Sequence, residues 1–259
     1  MAKKFHDFAL ALSGGGARGF VHAGVLKALD EAHLRPAALS GASMGALIGA
    51  LYASGVKPEM MVRILHRPEW TSLPAWIGFK GGFGTLELLR AQLQEHIKAE
   101  CFEDLNIPLT VSVTNLNKAC NELISSGPLM DWLIASSSVP VVFNPVLISS
   151  QYYVDGGLTV NLPARGLEKP GRMIVGINSI HIEEVDKAFT SIKSVGERCL
   201  LIAVQNTVRD QLGACHLVLD PPECRSFGTF EFDKAQDIFD VGYAYGKSVV
   251  PLISSQIGI

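Results

Sequence analysis

Two short stretches of this sequence set a reactive side chain, or a row of bare backbone, next to a predicted strand. The stretch GASMG, residues 41–45, fits G-x-S-x-G, a sharp strand-to-helix turn that holds a nucleophilic serine clear of a sheet. The serine here is Ser43. A helix that starts near Met44 directs free N–H groups and the positive end of its dipole at whatever Ser43 attacks. This pattern predicts nucleophilic attack on a carbonyl carbon.

The second stretch is GGGARG, residues 14–19, which follows an apolar run. Glycines loosen a fold unless a turn or a ligand needs the bare backbone. A nucleophilic serine needs a site for the oxyanion, and the backbone N–H groups of Gly14, Gly15 and Gly16 are candidates to form it. If the two preceding strands are adjacent and parallel, both turns lie at the same edge of the sheet, where open α/β sheets bind ligands.

The same glycines also fit G-x-G-x-x-G, so a dinucleotide site is an alternative. That site needs an acidic residue at the end of the second strand, and the predicted second strand, PAALS, ends in Ser40 without one. The sequence also lacks the Gly-Lys-Ser/Thr that completes a Walker A loop. A plain tight turn is the remaining structural alternative.

The residues alone leave two candidates for the base that activates Ser43. The usual order on such a turn is Ser, then Asp or Glu, then His, and His181 is the best placed of the seven histidines. Asp155 follows a predicted strand and precedes Gly156 and Gly157, so its carboxylate stands beside uncluttered backbone. Asp-Gly between apolar runs is by itself typical of a hairpin turn. With the other two motifs present, Asp155 is favoured as the base.

A layered α/β fold must position these motifs, because predicted strands and helices alternate along the chain. Apolar or alternating runs predict strands at residues 8–12, 37–40, 107–115, 121–124, 152–154, 173–177 and 215–219. Helical spacing predicts helices at residues 20–33, 44–54, 86–97, 130–137, 191–212 and 234–253. The sequence has no repeat, low-complexity tract or clear linker, so we expect a single domain over residues 1–259.

Composition favours a large buried core, since 48% of the 259 residues are hydrophobic and 18% are charged. The net charge of −3 gives no indication of a nucleic-acid partner. Five cysteines without a CxxC pair indicate reduced thiols in a cytosolic protein, and no cluster has metal-ligand spacing. Residues 39–56 carry no charge, but their Gly, Ala and Ser content favours a buried strand, turn and helix over a membrane span.

GGGARG, GASMG and DGG, in this order, resemble the three signatures of the patatin-like phospholipases. The connecting segments are similar as well. LSGASMGALIGALYASG resembles the family's elbow and helix, ASSSVPVVFNPV the segment before its aspartate, and DGGLTVNLP the segment after that aspartate. The similarity covers roughly the first 165 residues. One departure is SSSVPVV, where relatives commonly carry alanine and glycine, and it puts the shape of the acyl pocket in doubt.

The resemblance implies a lipid acyl hydrolase with a three-layer α/β/α fold around a central, mostly parallel sheet, acting through an acyl-enzyme without calcium or a cofactor. It implies a Ser–Asp dyad, with Ser43 as nucleophile and Asp155 as general base. Carried over onto the motifs, the oxyanion and substrate-binding residues are Gly14, Gly15, Gly16, Arg18 and Met44. The motif glycines are Gly19, Gly41, Gly45, Gly156 and Gly157. For Arg18 we favour anchoring of the glycine loop over attraction of a lipid phosphate.

Two other functions stay open. One is an acyl-CoA thioesterase or small-ester hydrolase with the same dyad, and the other is a non-catalytic regulatory scaffold. We expect a lipid or acyl-ester substrate, no nucleic acid, and a cytoplasmic location, with peripheral contact at the inner membrane face as an option. Residues 68–84, PEWTSLPAWIGFKGGFG, are interpreted either as a loop folded onto the core or as a flap over the acyl pocket that touches lipid. The sequence does not indicate an oligomeric state.

Overall fold

The computed structural model describes residues 5–66, 82–140, 142–182, 184–186 and 188–258. The strands are β1 (Asp7–Leu12), β2 (Ala38–Gly41), β3 (Leu109–Asn115), β4 (Cys120–Ile124), β5 (Val146–Ile148), β6 (Gln151–Asp155), β7 (Arg172–Ile177) and β8 (Leu217–Leu219). The α-helices are α1 (Phe20–Glu31), α2 (Met44–Ala53), α3 (Pro58–Leu65), α4 (Gly82–His96), α5 (Met130–Ser136), α6 (Ile192–Leu212) and α7 (Ala235–Ile257).

The strands form one mixed, mostly parallel sheet in the order β5-β6-β3-β2-β1-β7-β8, with β4 beside β3. Parallel pairing joins β1 to β2 and β7, β2 to β3, and β7 to β8. β3 is antiparallel to β4 and β6, and β5 is antiparallel to β6. Leu12 at the end of β1 pairs with Gly41 at the end of β2. The turns that follow these two strands therefore lie at the same edge of the sheet, as predicted.

The side chains of β1 define the two outer layers, because successive residues of a strand point to opposite faces. Phe8 and Leu10 enter a core that they share with α1, α2 and α7. Ala9 and Ala11 point the other way and belong to a second core with Val208 of α6. Helices thus cover both faces of the sheet, which confirms the predicted three-layer α/β/α fold.

Two strands lie end to end along one edge of β3. β4 pairs with β3 from Val111 to Asn115 and so occupies one edge. The other edge is shared by β2, whose Gly41 pairs with Val111, and by β6, whose Asp155 pairs with Val113. Because β2 runs parallel to β3 and β6 runs antiparallel to it, the carboxyl ends of β2 and β6 point toward each other. This arrangement brings the residues that follow β2 close to Asp155.

Each predicted strand and helix has a counterpart, with shifts of a few residues at the ends. Residues 39–56 form β2, a turn and α2, as expected, and no helix in the described parts of the chain is long and apolar enough to cross a membrane. The sequence did not predict β5 or α3. Residues 68–81, most of the aromatic segment 68–84 that the sequence interprets as a core loop or a flap, lie outside the described residues.

Candidate active site

Ser43 occupies the tight turn between β2 and α2 in a backbone conformation that non-glycine residues rarely adopt. Its φ is 52° and its ψ is −127°, and α2 begins at the next residue. Such conformations cost of order 1–3 kcal/mol and persist only where the surroundings enforce them. The Ser43 N–H donates to Ser136 Oγ at 2.9 Å, and the Ser136 hydroxyl donates to the Ser112 carbonyl oxygen at 2.8 Å. Ser136 therefore connects the turn to β3.

Asp155 ends β6 with its side chain buried, 6% exposed. Burial raises the pKa of Asp155 to about 6, while the nearby Ser43 side chain and the hydrogen bond from the Gly157 N–H act in the opposite direction. The Gly157 N–H donates to Asp155 Oδ1 at 2.7 Å. After Asp155 the chain forms a 3₁₀ turn, Gly156–Leu158, rather than the hairpin that Asp-Gly by itself indicates. The structure thus places the Ser43 side chain beside a buried carboxyl group whose pKa is raised.

The glycine loop offers fewer free donors than the sequence indicated. The Gly14 N–H donates to Asn161 twice, to the carbonyl oxygen at 3.2 Å and to Oδ1 at 3.1 Å. The expectation that Gly14 directs its N–H at the reacting carbonyl is therefore corrected. Gly15 and Gly16 donate to no acceptor within the described ranges. Met44 is the first residue of α2, so its N–H has no acceptor inside the helix.

Arg18 ties the glycine loop to two segments from the last third of the chain. Its Nε donates to the Phe227 carbonyl oxygen at 2.6 Å, and its Nη1 donates to the His181 carbonyl oxygen at 2.9 Å. The neighbouring Ala17 N–H donates to the Thr229 carbonyl oxygen at 2.8 Å. This geometry favours the anchoring role of Arg18 over the capture of a lipid phosphate.

The motif glycines lie where other backbone passes very close. A side chain at Gly41 would overlap the backbone of Gly45, and one at Gly45 would overlap the Leu12 carbonyl group at the end of β1. A side chain at Gly156 would overlap the carbonyl oxygen of Ser112. Gly19 lies against the side chain of Met44, and Gly157 against Asn161 and Asp155. These contacts hold the glycine loop, the Ser43 turn and the Asp155 turn together.

Three buried side chains that the sequence did not single out hold the glycine loop. The side-chain Nδ2 of Asn161 donates to the Gly14 carbonyl oxygen at 3.2 Å. Ser179 donates its N–H to Ser13 Oγ at 2.8 Å and its hydroxyl to the Gly14 carbonyl oxygen at 3.2 Å. His22 Nε2 donates to the Ser13 carbonyl oxygen at 2.8 Å, and burial lowers the pKa of this histidine to about 4. The imidazole is therefore neutral near pH 7. Asn161 lies within DGGLTVNLP, the segment that resembles the family sequence after its aspartate, so the sequence did contain a signal for this residue.

The other candidate base, His181, lies beside Asp220 and not beside Ser43. Its Nδ1 is 3.6 Å from the carboxylate of Asp220, and about 30% of its side chain is exposed. Within the described residues no hydrogen bond joins His181 to Ser43 or Asp155. Its backbone carbonyl oxygen instead accepts a hydrogen bond from Arg18 Nη1. Of the two candidate bases that the sequence left open, the structure thus places Asp155 beside Ser43 and His181 away from it.

Ser43 faces a cavity of about 70 Å³. Its walls are formed mainly by apolar side chains from α2, α4 and two loops: Leu47, Leu86, Leu89, Val139, Phe143, Phe230 and Phe232. Ser137 and Val139, from the SSSVPVV stretch that departs from the family pattern, also line it. No group of three His, Cys, Asp or Glu side chains suited to a metal ion occurs in the described parts of the chain.

The chain matches the family model described as patatin-like phospholipase over residues 10–167. It is 25% identical over 273 residues to the lysophospholipase NTE1 of Kluyveromyces lactis, a match that covers 92% of this chain and 19% of that protein. It is 27% identical over 284 residues to patatin-like phospholipase domain-containing protein 6 of Homo sapiens, covering 94% of this chain and 20% of that protein. The chain thus spans about a fifth of the length of these curated relatives.

Among solved structures, VipD from Legionella pneumophila superimposes with a TM-score of 0.53. The match covers 97% of this chain and 67% of that one, at 16% sequence identity. At this level of identity the likeness concerns the fold alone.

Proposed function

Because the chain belongs to the patatin-like phospholipase family, we propose that it hydrolyses lipid esters with Ser43 as nucleophile and Asp155 as general base. The observation that carries the proposal is the placement of the Ser43 side chain close enough to the buried carboxylate of Asp155 to lower its pKa against the effect of burial. This pair lies beside an apolar cavity and beside backbone N–H groups that have no acceptor among the described residues. Nucleophile, base, oxyanion donors and acyl space are the parts that acyl transfer requires.

The first step follows from this geometry. The Ser43 oxygen attacks the ester carbonyl carbon, and its proton passes to Asp155. As the carbonyl oxygen becomes negative, the N–H groups of Gly15 and Gly16, with that of Met44, stabilise it. Losing one such donor typically costs about 2.7–4 kcal/mol of transition-state stabilisation. The alcohol then leaves with the proton from Asp155, and Ser43 carries the acyl group.

The second step repeats the first with water as the nucleophile. Asp155 takes a proton from water as water attacks the acyl-enzyme, and returns that proton to Ser43 as the acid product leaves. A carboxylate with an ordinary pKa is a weak base toward an alcohol. The pKa of about 6 that burial gives Asp155 brings it nearer to neutral pH, where general-base catalysis is most effective.

The small-ester alternative is favoured by one observation, the size of the cavity, because about 70 Å³ is little space for a long acyl chain. Acyl-CoA hydrolysis would use the same dyad, whereas a regulatory scaffold would not need one. A single domain over residues 1–259, a cytoplasmic location with peripheral membrane contact, and the absence of a nucleic-acid partner stay predictions.

A fluorophosphonate probe tests the nucleophile directly. We expect the protein to be labelled at Ser43, as located by mass spectrometry of peptides, and Ser43→Ala to lose the label. Ser137→Ala is the matched control, since Ser137 also lines the cavity but donates its hydroxyl to the Leu133 carbonyl oxygen. Label retained in folded Ser43→Ala, or absent from the unaltered protein, would contradict the proposal.

A substrate panel then separates the remaining functions. The panel contains a lysophosphatidylcholine, a diacyl phosphatidylcholine, an acyl-CoA and p-nitrophenyl butanoate. Release of fatty acid from either phospholipid supports lipid hydrolysis. Cleavage of the acyl-CoA or the butanoate alone supports the thioesterase or small-ester alternative. Cleavage of none of the four, together with no uptake of the probe, favours the regulatory scaffold.

A further inference from the structure

The loop of residues 227–232 lies outside the part of the chain that matches the family model, yet it is fixed to the glycine loop. The carbonyl oxygen of Phe227 accepts Arg18 Nε at 2.6 Å, and that of Thr229 accepts the Ala17 N–H at 2.8 Å. The Gly228 N–H donates to Glu231 Oε2 at 2.8 Å, which closes the loop on itself. These hydrogen bonds therefore fix the position of this loop relative to the glycine loop.

This loop presents Phe230 at the mouth of the cavity. The side chain lines the cavity together with Ser43, but it is also 51% exposed. Its neighbour Phe232 is only 8% exposed and packs edge-on against Phe20, with ring centroids 6.4 Å apart. Phe232 is thus a buried part of the wall, whereas Phe230 contacts both the apolar space and solvent.

The size of the cavity beside Ser43 limits the length of the acyl chain that fits inside it. A cavity of about 150 Å³ lined by apolar side chains holds a molecule the size of benzene. The space beside Ser43, about 70 Å³, is roughly half of that and accommodates an acyl group of only a few carbons. A longer acyl chain attached to Ser43 has to extend beyond this space, and Phe230 is the most exposed of the described residues that line it.

We propose that Phe230 is a specificity-determining residue that limits the length of the acyl chain transferred to Ser43. This inference rests on the proposed lipid-ester hydrolysis and adds a preference within it, so that esters of shorter acyl chains react faster than those of longer chains. The ring excludes long chains by occupying the exit of the cavity. Removing it opens a continuous apolar path from Ser43 to the surface.

The test measures kcat/KM for p-nitrophenyl butanoate, octanoate and dodecanoate, each dissolved as single molecules and not as micelles. We expect the unaltered protein to prefer the butanoate. In Phe230→Ala the ratio of dodecanoate to butanoate kcat/KM should rise by about tenfold or more, since even one methylene in an apolar pocket changes discrimination by about 10–200-fold. Phe230→Leu should lie between the two and serves if the alanine variant folds poorly.

Leu252→Ala is the matched control, because Leu252 is similarly exposed at 45% but lies on α7 near the amino-terminal end of β1, away from the cavity. Its ratio should equal that of the unaltered protein. An unchanged ratio in active, folded Phe230→Ala and Phe230→Leu, or a preference of the unaltered protein for dodecanoate, overturns the role of Phe230 alone. Failure of all variants to cleave any ester would instead contradict the proposed function on which this role depends.

Discussion

Asn161 pairs both polar groups of its side-chain amide with the backbone of Gly14. Its Oδ1 accepts the Gly14 N–H at 3.1 Å, and its Nδ2 donates to the Gly14 carbonyl oxygen at 3.2 Å. The side chain is buried and lies against Gly157, whose N–H holds the carboxylate of Asp155. One amide thus sets the position of the glycine loop relative to the proposed base.

We expect Asn161→Ala to lower kcat about 10–100-fold, because the glycine loop loses two hydrogen bonds that position its neighbouring donors. Asn161→Asp keeps an acceptor for the Gly14 N–H but adds a negative charge near Asp155. That charge raises the pKa of Asp155, so the acid limb of the pH–rate profile should move to higher pH. The measurements are kcat for the soluble ester and its pH profile.

Asn115→Ala controls for the loss of a buried amide, since Asn115 is equally buried but bonds to Glu122 and Gln151. It should lower the melting temperature with little change in kcat. Equal kcat in the Asn161→Ala and Asn115→Ala proteins would show that Asn161 acts only on stability.

Asp155→Asn should abolish hydrolysis and stabilise the folded protein at neutral pH. The folded-state pKa of about 6 lies above the ordinary value of 3.8, so the unfolded chain ionises first as the pH rises. Stability therefore falls between about pH 4 and pH 6, by about 3 kcal/mol in all, and the deficit is complete above about pH 6. The asparagine removes that deficit and keeps an oxygen that accepts the Gly157 N–H.

Thermal unfolding at two pH values measures this effect. The melting temperature of Asp155→Asn should exceed that of the unaltered protein by several degrees at pH 8, and by much less at pH 4.5. A lower melting temperature at pH 8 would mean that the ionised Asp155 stabilises the fold instead.

The pH dependence of catalysis follows from the same carboxyl group. Only ionised Asp155 accepts the Ser43 proton, so kcat/KM should be level above about pH 6 and fall about tenfold per unit below it. His22, whose pKa burial lowers to about 4, stays neutral through most of this range and does not set the limb. A rate profile on p-nitrophenyl butanoate measures the midpoint. A midpoint near pH 4 would contradict a buried base.

Arg18→Lys should lower kcat on every ester, because one ammonium group does not span the Phe227 and His181 carbonyl oxygens that the guanidinium holds together. We expect a loss of about tenfold, from a loosened glycine loop. Comparing a phospholipid with p-nitrophenyl butanoate separates the two roles considered for Arg18. A loss confined to the phospholipid would point to phosphate binding instead.

His181→Ala should retain most of the activity, since His181 lies beside Asp220, whereas the Ser43 side chain lies beside Asp155, the proposed base. Its backbone carbonyl, which accepts Arg18, is unaffected by the substitution. The comparison is with Asp155→Asn under identical conditions. A folded but inactive His181→Ala protein would restore a histidine triad.

Local patterns predicted much of this molecule because its motifs lie at the ends of strands. Ser43 stands on a turn whose glycines have a fixed spacing, because Gly41 lies against Gly45 and Gly45 against Leu12, so a five-residue pattern was sufficient to find it. The alternating and helical runs likewise placed each predicted element within a few residues. β5 escaped because it is three residues long and lies at the edge of the sheet with Leu147 59% exposed, so it lacks a buried apolar pattern.

The supports of the site were not predictable in the same way. Asn161 and Ser179 act on Gly14 across 147 and 165 residues of sequence, and no local pattern carries such pairings. The engaged N–H of Gly14 was missed for the same reason. Arg18 is the intermediate case. Its motif indicated a role, but only the fold revealed that the carbonyl oxygens of Phe227 and His181 accept its hydrogen bonds.

The end-to-end placement of β2 and β6 along β3 also affects how the chain folds. Ser43 and Asp155 are more than a hundred residues apart, and they meet only after β3 has paired with both strands. Pairings of such high contact order form slowly compared with helices and local turns. A collapsed intermediate with its helices already formed therefore still lacks the Ser43–Asp155 pair. Recovery of esterase activity during refolding reports completion of the sheet rather than the appearance of secondary structure.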